Sequence, residues 1–370
     1  MKKVPLTCAA PAMYSIIKIV GDYCNLRCKY CFSQHKEQSA KTIMSDELVE
    51  KLIREYMETF DRKLLFIWFG GEPLLAGLPF FKNIIKWQQK YNRGQTIVNG
   101  IQTNGTLIND EWAEFFASNG FGVGVSIDGA ETSHNMFRHT ASGIGSHDRV
   151  VKGIECLKRH NLTPGIIQVL TKNSLKNVKE DFTFFTDVLG LKKFGANPYI
   201  CDGINISMKE QEITDEEFTA YIKEITKLWV EKDDPDLKVR DIENMVAGLL
   251  ERSTGGCTYS GTCTAYFTVN YDGLVYPCNR LVSPQNVFGD LKKQHLAEIL
   301  SGEKRMTFAC QATTLPETCQ KCELKNACNN GCIGHRKGDF SGQYLYCESR
   351  KALFKHTQQL LEESANEKNE

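Results

Sequence analysis

The sequence predicts an α/β fold, a partial (β/α)6 barrel followed by a small cysteine-rich domain. Three observations carry this. Apolar, β-branched runs alternate with amphipathic stretches over the first two-thirds of the 370 residues. A run such as Leu64–Phe69 is apolar at every position, as strands covered on both faces by crossover helices are. Turns rich in Gly, Asn, Asp and Ser close these strands at their C-terminal ends, where barrels of this kind carry their chemistry.

Taken in order, Tyr14–Val20 is the first strand, and Ser45 caps a helix reaching Phe60 with Leu48, Leu52, Ile53 and Met57 on one face. Leu64–Phe69 is the second strand and Phe80–Tyr91 the next helix. A third strand ends at Gln102-Thr-Asn-Gly105, and Asn109 caps the helix after it. Phe121–Ile127, Gly165–Leu170 and Lys193–Asn197 bring the strands to six and close the barrel segment, residues 1–201. Residues 202–256 read as a helical bridge, Asp215–Val230 and Arg240–Leu250 separated by the charged break Glu231–Asp236. Residues 257–355 form the cysteine-rich domain. Within it Tyr266–Tyr276 predicts a hairpin, with Asp272-Gly273 as a type I′ turn. A helix near Ser349–Leu361 leads into a polar tail, residues 356–370.

Lysine plus arginine and aspartate plus glutamate balance at 45 each, which excludes a global field for nucleic acid or an anionic membrane. No apolar stretch approaches the about 20 residues that span a bilayer. The N-terminal apolar run is broken by Thr7, Pro11 and Lys18, so no secretory signal is read and a cytoplasmic protein is expected. Fifteen cysteines, an odd number, then point to metal ligation rather than disulfides. Eleven fall in two groups. Cys8, Cys156, Cys201 and Cys310 remain as buried small hydrophobes or idle thiols.

The first group is Cys24, Cys28 and Cys31, a C-x3-C-x2-C triad ending in Phe32. Three thiolates this close can ligate three irons of a cubic [4Fe–4S] cluster and leave the fourth iron open to a ligand. A zinc knuckle is the competing reading, with His35 as the fourth ligand, although its spacing is unusual. Gly70-Gly71-Glu72-Pro73 follows an apolar strand. Its glycines permit close backbone approach, and its carboxylate can pair with an ammonium.

Together these motifs resemble the radical S-adenosylmethionine (SAM) enzymes, whose fold is a partial, TIM-like (β/α)6 barrel. The resemblance implies that Gly70, Gly71 and Glu72 hold the methionyl amine. Ser126 and Arg138 contact the ribose and carboxylate, Thr103 and Asn104 line the pocket, and Tyr30 and Phe32 flank the adenine. The bland readings are a strand-end cap for Ser126, a solvated charge for Arg138 and core packing for the aromatics. It further implies that the reduced cluster gives SAM one electron, releasing a 5′-deoxyadenosyl radical that takes a hydrogen atom from the substrate.

The second group, Cys257, Cys263, Cys278, Cys319, Cys322, Cys328, Cys332 and Cys347, resembles the SPASM domain, which carries two auxiliary [4Fe–4S] clusters. By that pattern Cys257, Cys263, Cys278 and Cys332 hold one cluster, and Cys319, Cys322, Cys328 and Cys347 the other. Three clusters and SAM are therefore the expected cofactors. The competing reading is two structural zinc sites.

The expected function is a maturase that crosslinks side chains of a ribosomally made peptide by a thioether or carbon–carbon bond, an auxiliary cluster taking the second electron. The alternative is an anaerobic sulfatase-maturating enzyme, which oxidises Cys or Ser to formylglycine. That family's general base is an aspartate following the third SPASM cysteine, and here the position is Asn279, an amide that cannot accept the proton. Asp272, Tyr276 and His335 are the substitute base candidates. A small-molecule radical dehydrogenase and a non-catalytic metal scaffold are the readings from other classes. The expected partners are a peptide or protein substrate and a flavodoxin- or ferredoxin-type reductant. With 23 residues before Cys24, a leader peptide is expected to dock on the barrel, on the bridge or on a separate leader-binding protein.

Overall fold

The computed structural model describes residues 14–33, 41–61, 63–201, 206–252 and 254–367. Cys8 and His35 lie outside them. The α/β class is as expected, and the chain divides into two compact units.

The first unit comprises residues 1–126, 135–164 and 264–311. Four parallel strands build its sheet: β1 (Tyr14–Lys18), β2 (Leu64–Phe69), β3 (Ile97–Thr103) and β4 (Gly122–Ser126). Strand β2 alternates between buried Leu64, Phe66, Trp68 and half-buried Leu65, Ile67, Phe69. Its apolar run therefore has one sealed and one partly covered face. On the sealed side Trp68, Phe81, Trp112, Phe116 and Phe121 form a chain of edge-on and stacked rings. Ser45 and Asn109 cap the helices Asp46–Thr59 and Asp110–Ser118 as their positions dictate.

The second unit contributes β5 (Gly165–Leu170), β6 (Lys193–Pro198) and β7 (Lys238–Val239), and the chain then returns to the first unit as β8 (Tyr266–Asn270), β9 (Leu274–Tyr276) and β10 (Gly289–Asp290). Strand β8 pairs with β1 in parallel, Tyr14 opposite Tyr266, and β9 and β10 follow antiparallel. The hairpin thus extends the sheet of the first unit. Its turn corrects the sequence reading. Asp272 has no positive φ, Gly273 has φ +88°, and Gly273 N–H donates to Asn270 O at 2.8 Å. This is a three-residue connection with glycine in the left-handed position, not type I′, which needs positive φ at both central residues.

The second unit comprises residues 127–134, 165–263 and 312–370. Strands β5, β6 and β7 are parallel there, β7 lying between the helices Asp215–Lys232 and Arg240–Leu249. The last helix, Cys347–Glu367, packs on both of these helices and runs past Leu361, because Glu and Ala in the tail favour helix. Asp215 anchors its start, accepting from Glu348 N at 3.0 Å and Ser349 N at 2.9 Å.

Candidate active site

The loop leaving β1 carries Cys24, Cys28 and Cys31. Its bends are held by short-range backbone bonds, Tyr23 N to Val20 O at 3.0 Å and Cys31 N to Cys28 O at 3.1 Å. Residues 137–140 brace its far side, accepting from Arg27 N (to His139 O, 2.6 Å) and Lys29 N (to Phe137 O, 2.9 Å). Inside, Cys24 Sγ accepts from Leu26 N at 3.4 Å and from Asn104 Nδ2 at 3.7 Å. Burial, then the charge of Glu72, pushes the Cys24 thiol up to about 12, and burial also raises Cys31.

Gly70-Gly-Glu-Pro73 is pressed against this loop. A Cβ on Gly71 would overlap the Tyr23 carbonyl, so only glycine fits. Gly71 N donates to Gly21 O at 2.8 Å and Glu72 N to Tyr23 O at 2.9 Å. A ligand ammonium only donates, so the motif can meet it only through oxygen atoms. The Glu72 carboxylate is fully buried. It accepts from Leu74 N (3.0 Å), Thr103 Oγ1 (2.7 Å) and Asn104 N (2.7 Å). Burial raises its pKa to about 7, against the pull of these three donors.

Ser126 ends β4, where its Oγ accepts from Gln102 Nε2 at 3.0 Å. Arg138 is buried, its guanidinium 5.4 Å from the Tyr30 ring centroid. Tyr30 packs on Phe137 at 5.8 Å, whereas Phe32 is exposed. Cys24, Cys28, Cys31, Tyr30, Glu72, Thr103, Asn104, Ser126 and Arg138 all belong to the first unit.

The C-terminal cysteines divide differently. Cys319, Cys322, Cys328 and Cys347 line one cavity of the second unit, with Asn330, Tyr344 and Arg350. Gln343 Nε2 donates to Cys347 Sγ at 3.0 Å, and the Cys319 thiol to Asn330 Oδ1 at 3.6 Å. Cys257, Cys263 and Cys332 belong to the same unit and Cys278 to the first. Asn329 Nδ2 ties the short helix Cys257–Ser260 to the Cys328 turn by donating to Tyr259 O at 2.8 Å. Burial and Cys332 raise the Cys263 thiol. No disulfide joins the described cysteines.

Comparison with known proteins gives these groups a family. The radical SAM superfamily pattern matches residues 18–184, and that of the iron–sulfur cluster-binding SPASM domain matches residues 259–323. A serine-type anaerobic sulfatase-maturating enzyme of Bacteroides thetaiotaomicron is 30% identical over 96% of this chain and 92% of its own length. A cysteine-type enzyme of Clostridium perfringens is 30% identical over 94% and 96%. The chain belongs to the radical SAM/SPASM family. Among solved structures, native anSMEcpe with bound AdoMet and Cp18Cys peptide superposes with a TM-score of 0.85 at 28% identity, over 97% of this chain and 100% of that one. Streptococcus suis SuiB bound to its precursor peptide SuiA shares the fold, with a TM-score of 0.65 at 15% identity over 90% and 75%.

This radical SAM/SPASM chain is therefore an enzyme whose domains use SAM and iron–sulfur clusters. The donor sets fit. Three thiols on one short loop suit a cluster with an open iron, and four thiols around one cavity suit a closed one. Burial raises the thiols of Cys24, Cys31, Cys319 and Cys347, so a metal must ionise them.

The base candidates fare unevenly. Asp272 Oδ1 is engaged by Leu274 N at 3.1 Å. Tyr276 is buried and its phenol, raised to about 12 by burial and then Asp272, stays protonated at neutral pH. His335 is buried, belongs to the other unit and follows Cys332 in a short 3-10 turn. Asn279 Oδ1 accepts from the Cys278 thiol at 3.3 Å.

Sequence reasoning missed Lys18, Asn25 and Gln102. Lys18 is buried beneath the triad loop and pairs with Asp22 at 2.8 Å. A lone lysine in the apolar run Tyr14–Val20, four residues before an aspartate, was the available signal. Asn25 bridges the loop to the turn after β3, donating to Thr106 Oγ1 at 2.9 Å and accepting from Asn104 Nδ2 at 2.8 Å. No local signal marks Asn25 or Gln102, because their partners are distant in sequence.

Proposed function

We propose that this enzyme oxidises a Cys or Ser side chain of a protein substrate to formylglycine, as an anaerobic sulfatase-maturating enzyme. The observation that carries this reading is the 30% identity to both serine- and cysteine-type sulfatase-maturating enzymes across nine-tenths of each chain. It displaces peptide crosslinking, the function first expected from the sequence. When bound, a cluster on Cys24, Cys28 and Cys31 supplies the electron that splits SAM into methionine and a 5′-deoxyadenosyl radical. Glu72 receives the SAM ammonium in place of a donor, Ser126 and Arg138 hold the ribose and carboxylate, and Tyr30 stiffens the pocket wall with Phe137 behind it. Cys257, Cys263, Cys278 and Cys332 would hold one auxiliary cluster and Cys319, Cys322, Cys328 and Cys347 another, three clusters in all, and they would supply an acceptor for the second electron. A flavodoxin- or ferredoxin-type protein in the cytosol resupplies the first.

One observation favours the second reading, peptide crosslinking. Asn279 stands where the sulfatase family's aspartate base is expected, and its carbonyl is already engaged by Cys278. A substrate peptide bearing Cys or Ser in a sulfatase motif, incubated anaerobically with reconstituted enzyme, SAM and dithionite, decides between the two. A hydrazide-reactive aldehyde formed in step with 5′-deoxyadenosine is the expected outcome. SAM cleavage with no aldehyde on either peptide refutes formylglycine formation.

A further inference from the structure

Arg350 is 3% exposed, yet no carboxylate pairs with it among the described residues. Its guanidinium lies 3.6 Å from the Tyr259 ring centroid and 5.2 Å from that of Tyr344. One nitrogen, Nη1, donates to Thr258 O at 3.2 Å, and Nε has no hydrogen-bond partner among the described residues. The buried acid of this region, Asp241, is committed elsewhere: it pairs with Arg240 at 3.3 Å and accepts from the Tyr259 hydroxyl at 3.3 Å.

A buried cation with no carboxylate at ion-pair distance is costly, and two ring faces, the Thr258 carbonyl, the Tyr344 hydroxyl and the more distant charge of Asp241 offset only part of that cost. Arg350 also lines the cavity that collects Cys319, Cys322, Cys328 and Cys347. Four thiolates closed around an iron–sulfur core carry net negative charge, and reduction adds one electron to it without breaking a bond. A fixed cation beside the core favours the more negative state, and burial keeps solvent from screening it.

We infer that Arg350 is the resident counter-charge of the cluster on Cys319, Cys322, Cys328 and Cys347 and raises its reduction potential, making that site the electron sink of the enzyme. This rests on the cluster reading of the quartet given under Proposed function. Arg350 acts through the cluster, as a positioning residue, and touches no substrate.

The test is a redox titration followed by electron paramagnetic resonance on full-length, anaerobically reconstituted protein. Cys24, Cys28 and Cys31 are replaced by Ala to remove the radical cluster's signal. Iron is counted for the parent, Arg350→Gln and Arg350→Lys. The expected result is one auxiliary signal moved to lower potential in Arg350→Gln, the other unmoved, and the parent value largely restored in Arg350→Lys. Iron loss in Arg350→Gln that Arg350→Lys prevents supports the counter-charge equally. Unchanged potentials in Arg350→Gln at full iron content overturn the inference. Equal iron loss in both variants overturns it too, since packing rather than charge is then what Arg350 supplies. Zinc in the quartet of the parent protein overturns the cluster reading itself and the inference with it.

Discussion

The triad loop and the C-terminal quartet collect sulfur in opposite ways. Cys24, Cys28 and Cys31 sit on one short loop and are pre-bent by their own backbone, with Asn104 and Glu72 closing over them. The quartet draws Cys319, Cys322 and Cys328 from one segment and Cys347 from the start of a helix. Asn330 joins the two, accepting from Tyr344 N and donating to Gly342 O, each at 2.9 Å. Their electrostatics are opposed as well. The charge that raises Cys24 is the buried carboxylate Glu72, with the cations Arg138 and Lys18 acting on Cys31, whereas the quartet's cavity is lined by the buried guanidinium of Arg350 with Lys325 and Lys351. A carboxylate attracts a cationic sulfonium ligand and disfavours an extra electron on a neighbouring cluster, and a guanidinium does the reverse. The difference teaches that cysteine thiols gathered by one loop and by two separate segments stand beside different buried charges.

Replacing Cys24, Cys28 and Cys31 together by Ala is the strongest way to separate the two regions. 5′-Deoxyadenosine formation should fall to background while iron, on the three-cluster proposal, drops by only about a third. Residual SAM cleavage in that variant would break the assignment.

Gly71→Ala should come next. Its methyl group must displace the Tyr23 carbonyl, and the clash is with backbone rather than with a flexible side chain. A loss of about 3 kcal/mol is expected. Thermal melts should show it, with iron lost from the triad and retained in the quartet.

The contrast in buried charge makes a pH prediction. Glu72 is raised from 4.5 to about 7 chiefly by burial. Below that value the empty site holds a neutral acid, which cannot pair with an ammonium. SAM affinity should therefore weaken as pH falls through 7, by up to about tenfold per unit. The empty fold responds with the other sign, because a raised folded pKa stabilises it fully below 4.5 and this gain is lost as pH rises through about 7. Calorimetric titration of SAM against pH, beside melts of the SAM-free protein, reads both. A flat affinity profile would remove Glu72 from the ligand.

The smallest effect is expected from Asn330→Ala. Asn330 adopts φ +57° and its amide joins the two halves of the quartet. Losing both bonds and placing alanine in the left-handed region should cost about 2 kcal/mol, visible in denaturant melts. Asn330→Gly should recover the backbone part alone. An equal cost for both variants would mean that the hydrogen bonds carry the joint.

Much of the fold and site was legible because it is written locally. Strands Leu64–Phe69 and Gly165–Leu170 fall where the apolar runs place them, and Ser45 and Asn109 cap their helices because capping needs only a side-chain oxygen and the next turn. The two-residue turn read at Asp272-Gly273 was wrong in type. Dipeptide chemistry marks a hairpin, but strand register, Val269 opposite Val275, decides how many residues join it. The peptide-crosslinking expectation rests on a single position, Asn279, whereas the similarity to sulfatase-maturating enzymes runs the length of the chain.

By itself the sequence determined the ligand types and their local spacing: three thiols on one loop, a carboxylate behind two glycines, and the α/β alternation. These follow from short-range geometry, in which each residue's partner lies within a turn or two. Tertiary structure alone decided the rest. It placed β8 beside β1, set Asn25 against the turn after β3 and Gln102 against the end of β4, buried Lys18 with Asp22, and laid Arg350 between two tyrosines at the quartet. The energies of these placements come from burial and, for β8 beside β1, Asn25 with Thr106 and Arg350 with Tyr259, from partners far apart in sequence, so no short window of sequence contains both halves of the interaction.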